Sequence, residues 1–123
     1  MITARFYQKP SNGSIHMTLK GHADAAPKGE DLVCSAATML AYTVAQAVQF
    51  MYEQDKLKKK PKIHITDGAA TIIATPTEEA YAETLHTFWV AQCGIHVLAH
   101  NYPGNVMLEH IKEIGRASCR ERV

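Results

Sequence analysis

A histidine and a cysteine on either side of a short polar segment are the residues of this chain best suited to chemistry. His22 and Cys34 lie twelve positions apart, and the interval between them contains one glycine and four charged residues. A thiolate attacks carbonyl carbon, and an imidazole can take the thiol proton and later return a proton to a leaving amine. The pair predicts Cys34 as a nucleophile and His22 as its general base. The alternative is a small buried cysteine and a surface histidine.

Two acidic residues in the same segment are candidates to orient the histidine. Asp24 and Asp31 both fall between His22 and Cys34, and the third member of a catalytic triad is usually such a carboxylate. Residue types alone do not choose between them. Cys34 itself lies at a predicted helix start, where backbone N–H groups and the helix dipole favour a thiolate and could stabilise an oxyanion.

Strands are predicted before the histidine. Apolar and polar residues alternate roughly over 2–7 and 15–19, and a turn-forming cluster fills 9–14. This pattern indicates a β-hairpin, and the segment 21–31 that follows it is predicted as a loop.

A helix is predicted from about Cys34 to Glu53, because apolar residues recur there at spacings of three and four. A second hairpin is predicted over 62–66 and 69–74, where Asp67 and Gly68 form the turn pair. The apolar positions of the helix are Val33, Ala37, Leu40, Val44, Val48 and Met51.

A second helix is predicted to begin with Thr75 as N-cap, Pro76 at the first helical position and Glu78 completing a capping box. It should stop at the Tyr-Pro-Gly sequence of 102–104, before an edge strand within 105–111. The element order is then ββ-α-ββ-α-β. It predicts a single-domain α+β sandwich, with helices packed on a mixed, mostly antiparallel sheet.

Composition excludes several classes of protein. The chain has 123 residues, is 46% hydrophobic and carries a net charge of +1, which suits one globular domain without a strong field for nucleic acid. No unbroken apolar run reaches about 18 residues, and the first ten residues lack the apolar stretch of a signal peptide. We therefore expect a cytoplasmic protein whose three cysteines are thiols.

The last ten residues do not resemble natural protein. Residues 114–123 read IGRASCRERV, which resembles an in-frame translation of a common sequencing adapter. We predict a domain over 1–113 and a non-native tail over 114–123.

A metal site is an alternative use of the second helix. Cys93, His96 and His100 fall at i, i+3 and i+7, and both residue types bind zinc. His64 or His110 would have to supply a fourth ligand. Histidine is also favourable near a helix C-terminus for electrostatic reasons, and we predict neither a metal nor another cofactor.

Two linked motifs resemble those of a known family. The sequence reads GHAD at 21–24 and GEDLVCSA at 29–36. This resembles the ribosomal-processing cysteine protease family, with its Gly-His-Ala motif followed by Gly-x-Asp-(Ile/Val/Leu)-Val-Cys-(Ala/Ser)-Ala. The likeness extends over about residues 1–112.

The resemblance implies a homodimeric cysteine endopeptidase that removes a short N-terminal extension from a large-subunit ribosomal protein in Firmicutes. Phage relatives imply a phage structural protein as the other substrate class. The catalytic pair maps onto His22 and Cys34, with Asp31 in a supporting role. Candidate substrate-binding residues are Gly21, Gly29, Ser35 and Thr38.

A binding module without catalysis is the competing hypothesis. Five of the seven residues in 56–62 are lysines, and a noncatalytic ribosome-associated domain could use them. Binding of that kind would depend strongly on salt.

Overall fold

The protein folds as a five-stranded sheet with two helices covering one face. The computed structural model describes residues 1–24, 26 and 31–109. The strand order is β3-β4-β2-β1-β5, and every pairing is antiparallel except the parallel one between β1 and β5. This confirms the predicted α+β class and element order. The elements are β1 Ile2–Lys9, β2 Ser14–Lys20, α1 Leu32–Glu53, β3 Lys62–Thr66, β4 Ala69–Ala74, α2 Tyr81–Asn101 and β5 Val106–Leu108.

The core lies between the sheet and the helices. Strand alternation directs Phe6 of β1 and Met17 of β2 to the helix-covered face, where they pair directly and are fully buried. The buried stripe of α1 packs above them, with Val44 and Val48 at its centre. Both hairpins and the α1 stripe match the sequence pattern, because burial on one face is what imposes the two periodicities.

The two helices approach each other closely at a glycine. A Cβ at Gly94 of α2 would lie 2.9 Å from the δ carbons of Leu40 on α1. The glycine that interrupts the apolar pattern of α2 therefore serves helix packing. By length and composition alone α1 could cross a membrane, but here its apolar stripe is buried in the core.

The predicted start of the second helix is wrong. α2 begins at Tyr81, and its N-cap residue Ala80 makes no side-chain capping bond. Thr75 and Pro76 instead continue the path of β4: the Thr75 carbonyl accepts from Lys58 N at 2.8 Å, and Pro76 forms a bridge with Leu57. Pairing with a distant segment thus overrides a local capping pattern.

The remaining elements agree with the sequence within the described residues. α2 ends at Asn101, and β5 is a three-residue edge strand within the predicted segment 105–111, whose last two residues lie outside the described residues. The predicted tail 114–123 also lies outside them. In the second hairpin Gly68 has a φ of 80° and Asp67 does not have a positive φ, so the turn is not type I′.

His16 is buried, although strand alternation places it on the sheet face opposite Ile15 and Met17. It is 4% exposed, its Nε2 lies 2.8 Å from Ser14 Oγ, and its ring stacks on Tyr7 with centroids 4.5 Å apart. Burial lowers the pKa of His16 below its ordinary value of 6.5, and nearby Lys9 lowers it further.

We predict a pH-dependent contribution of His16 to stability. The unfolded chain takes up the proton first as pH falls, so the contribution is complete above about pH 6.5 and is lost progressively below it. The free energy of unfolding of wild type should therefore exceed that of His16→Gln by less at pH 5 than at pH 7.5, in urea titrations. His64→Gln, at an exposed position of β3, controls for loss of one imidazole. An identical difference at both pH values would contradict the assignment.

Candidate active site

The backbone around His22 is held firmly although the side chain is half exposed. The preceding Gly21 has a φ of 97°, donates from N to Gly68 O at 2.8 Å, and packs so closely on Met1 that a Cβ would overlap the Met1 carbonyl oxygen. On the other side Ala23 is buried, and its carbonyl accepts from Asn105 Nδ2 at 2.7 Å. The end of β2 therefore presents the imidazole at a fixed point of the backbone.

Cys34 lies in the first turn of α1, two residues later in the helix than predicted. Asp31 is the N-cap: it has an extended backbone, and its Oδ1 accepts from Cys34 N at 2.9 Å. Its carbonyl also accepts from Ser35 N at 3.0 Å. The cap explains why the helix begins here. It also means that the Cys34 amide, one of the helix-start N–H groups that could hold an oxyanion, is already bonded to a carboxylate.

One open pocket brings the predicted pair together. Its volume is about 670 Å³, and both His22 and Cys34 line it. Within the described ranges no hydrogen bond joins the two side chains, a separation common in cysteine–histidine pairs before substrate binds. The other lining residues are Asp24, Ala26, Asp31, Ser35, Thr38, Met39, Tyr42 and Asp67.

The candidate substrate-binding residues divide into three groups. Ser35 and Thr38 line the pocket on the α1 side. Gly21 lines a separate cavity of about 30 Å³ beside Cys34 and Thr38, and its positive φ and contact with Met1 give it a structural role. Gly29 lies outside the described residues.

Asp24 does not contact the histidine. Its Oδ2 lies 3.3 Å from the N-terminal ammonium of Met1, and its own φ is 57°. Within the described part of the chain the carboxylate next to His22 is Asp67, whose Oδ1 lies 3.9 Å from His22 Nδ1. The sequence interpretation missed Asp67, although a signal existed: an antiparallel neighbour of β2 would place its turn beside the end of that strand.

The pocket also has an apolar wall that sequence reasoning missed. Met39 and Tyr42 project from the exposed side of α1 and are more than half exposed, at 63% and 53%. They follow Ser35 at helical spacing, so the spacing alone could have assigned them to the same face as the pocket.

The zinc alternative finds no support in the described residues, among which no group of three or more His, Cys, Asp or Glu side chains is arranged to hold a metal ion. Cys93, His96 and His100 are exposed along α2, and the proposed fourth ligand His110 lies outside the described residues.

Comparison with known proteins adds a family and a fold. The family model described as cysteine protease Prp matches residues 1–107. No curated protein sequence matches the chain significantly.

Solved structures share the architecture. The essential ribosomal processing protease Prp from S. aureus, in complex with a covalently linked product peptide, matches with a TM-score of 0.67 at 20% identity. The match covers 89% of this chain and 98% of that chain. A protein from Streptococcus mutans matches with a TM-score of 0.63 at 24% identity, over 89% of this chain and 92% of the other. The S. aureus protease with a substrate peptide matches with a TM-score of 0.56 at 18% identity, over 89% and 98%.

We predict that the Asp31 cap contributes to global stability. Asp31→Ala should lower the free energy of unfolding by about 1 kcal/mol, because an orphan helix amide loses its acceptor, whereas Asp31→Asn should keep most of that stability. Urea denaturation followed by far-ultraviolet circular dichroism measures the free energy of unfolding of both variants. Asp24→Ala, at an exposed carboxylate of the same pocket, is the control. Equal losses in Asp31→Ala and Asp31→Asn would mean that charge, not capping, is what matters.

Proposed function

The chain belongs to the cysteine protease Prp family, and we propose that it hydrolyses peptide bonds with Cys34 as nucleophile and His22 as general base. The observation that carries this assignment is the pocket, which joins a cysteine in the first turn of a helix to a histidine at a fixed strand end. Of the motif residues, five line that pocket, and a separate element supplies each member of the pair. The five are His22, Asp24, Asp31, Cys34 and Ser35.

The reaction then proceeds in two balanced halves. The thiol proton of Cys34 passes to the His22 imidazole while Sγ bonds to the scissile carbonyl carbon. The tetrahedral intermediate collapses as the carbon–nitrogen bond breaks, and the imidazolium gives its proton to the leaving amine. A thioester remains on Cys34. Water attacks it, His22 takes one water proton, and that proton returns to the departing thiolate as the new carboxylic acid is released. The acid then loses its proton to solvent and becomes a carboxylate.

Asp31 acts in this scheme by fixing the start of α1. Its carboxylate caps the Cys34 amide, so it sets the direction in which the nucleophile leaves the helix. Ser35 directly follows Cys34, and Thr38 lies about one turn later. Both line the same pocket, where their hydroxyls can bond to the substrate backbone.

The substrate we propose is an extended N-terminal segment of a large-subunit ribosomal protein. The pocket is open along the exposed side of α1, which suits a peptide more than a small enclosed ligand. The similar S. aureus structures are of a ribosomal processing protease, with a product or a substrate peptide. Cleavage of a phage structural protein is the other substrate hypothesis, and the same pocket would serve it.

Cytoplasmic location and a homodimer complete the proposal. Both stay predictions, the first from the composition and the second from the family resemblance. Exposed apolar side chains on the outer faces of both helices support the homodimer proposal, because they could form its interface. They include Phe50 of α1 and Val90 and Val97 of α2.

The noncatalytic alternative does not fit a member of a protease family. The positive charge on which that hypothesis depends is exposed in the fold, because Lys58, Lys59 and Lys60 lie at the surface between α1 and β3. They precede β3, at the end of that strand opposite the Asp67–Gly68 turn.

We predict that Cys34→Ala abolishes cleavage while the fold is retained. The assay uses a synthetic peptide spanning a ribosomal N-terminal extension, with a phage-derived peptide alongside, and mass spectrometry locates the cut. Circular dichroism of the variant checks the fold. Cleavage by Cys34→Ala at the wild-type rate would remove the cysteine from the mechanism.

We predict that His22→Ala slows cleavage by roughly 10² to 10⁴ through loss of proton transfer. Alkylation with iodoacetamide tests the pair without a substrate, since Cys93 on α2 is a second, exposed thiol and serves as an internal reference. Below pH 7 Cys34 should react faster than Cys93 in wild type, and His22→Ala should remove that advantage. Equal reactivity of Cys34 and Cys93 in wild type would argue against an activated nucleophile.

A further inference from the structure

Among the residues that the structure describes, a carboxylate outside the two sequence motifs lies nearest to the proposed general base. Asp67 Oδ1 is 3.9 Å from His22 Nδ1, while Asp31 caps the Cys34 amide and Asp24 pairs with the N-terminus. We propose that Asp67 is the positioning residue of His22, acting through Nδ1 of the imidazole. This inference rests on the proposed role of His22 as general base.

The register of the sheet fixes this contact. β2 pairs with β4 antiparallel, with Lys20 opposite Ala69, and Gly21 N continues the ladder by donating to Gly68 O at 2.8 Å. The residue after Gly21 must then lie over the β3–β4 turn. The contact between His22 and Asp67 therefore depends on core strand pairing.

The imidazole ring of His22 packs directly against Gly68. A Cβ at this position would lie 2.7 Å from His22 Nε2 and 3.2 Å from Cε1, so the imidazole rests directly on the turn. Its Nδ1 edge faces Asp67 while Nε2 lies over Gly68. The glycine needed for a φ of 80° is thus also needed for the ring to lie this close to the backbone.

A carboxylate beside Nδ1 has two effects on a general base. It favours the tautomer with hydrogen on Nδ1, which leaves Nε2 free to accept the proton of Cys34, and it stabilises the imidazolium that forms. His22 and Asp67 are 49% and 65% exposed, so water and salt weaken the interaction. We therefore expect Asp67 to raise the cleavage rate only about two- to fivefold, which is the contribution of an exposed ion pair.

The test is Asp67→Asn, assayed with the peptide that wild type cleaves. Asparagine suits a turn as well as aspartate does, so the hairpin should persist. At low salt kcat/KM should fall about two- to fivefold, and the deficit should shrink at 1 M salt, where charges are screened over about 3 Å. Asp67→Glu keeps the carboxylate and should recover part of the rate. Asp55→Asn, at an exposed residue after α1, is the matched control and should leave the rate unchanged.

A second readout does not depend on activity. Long-range ¹H–¹⁵N spectra at pH 8 report which ring nitrogen of His22 carries hydrogen. Wild type should show more hydrogen on Nδ1 than Asp67→Asn does, and Asp55→Asn should match wild type.

Three outcomes overturn the inference. The first is an Asp67→Asn variant with wild-type kinetics and unchanged His22 spectra. The second is a loss that is insensitive to salt and equally large in Asp67→Glu, since that loss would reflect turn structure. The third is a fall in the urea midpoint that accounts for the lost activity. Failure of the proposed function is a different result: there wild type itself cleaves no peptide, or Cys34→Ala still does, while the spectra continue to report on Asp67.

Discussion

The antiparallel pairing of β2 with β4 is the constraint on which the arrangement of this pocket depends. It joins residues about fifty positions apart in sequence and places the end of β2 against the β3–β4 turn. Because both strands are buried on the helix-covered face, a shift of one residue would turn the core side chains outward. The position of His22 is therefore as well specified as the core itself, even though its side chain is half exposed.

The first backbone amides of α1 have two uses that compete. The helix needs an acceptor for its first amides, and Asp31 meets that need by bonding to Cys34 N. Catalysis by a nucleophilic cysteine gains from the same amide, which could otherwise hold an oxyanion. While the cap is formed the amide is in use, so stabilisation of an oxyanion through it requires the Asp31 carboxylate to move aside. Helix capping and the proposed binding of an oxyanion thus compete for one N–H group.

Local pattern and long-range pairing account for what the sequence could and could not predict. Both hairpins and α1 follow from alternation and helical spacing, since each buries one face against the same core. The start of α2 could not be read that way, because Thr75 and Pro76 pair with residues near Leu57. Cys34 and His22 were recognisable from their types and motifs. Asp67 was missed, because its relation to His22 emerges only when β4 is paired with β2 in the observed register.

The motif residues therefore differ in physical role even where they adjoin. Gly21 is required by its φ and by contact with the Met1 carbonyl, Ala23 is small because it is buried and anchored by Asn105, and only His22 between them faces the pocket. A rigid backbone on both sides limits the imidazole to rotation about its own side-chain bonds. Only a few side-chain rotamers of His22 then remain. We expect the weak interaction with the exposed Asp67 carboxylate to be enough to favour one of them, because no loop has to be ordered at the same time.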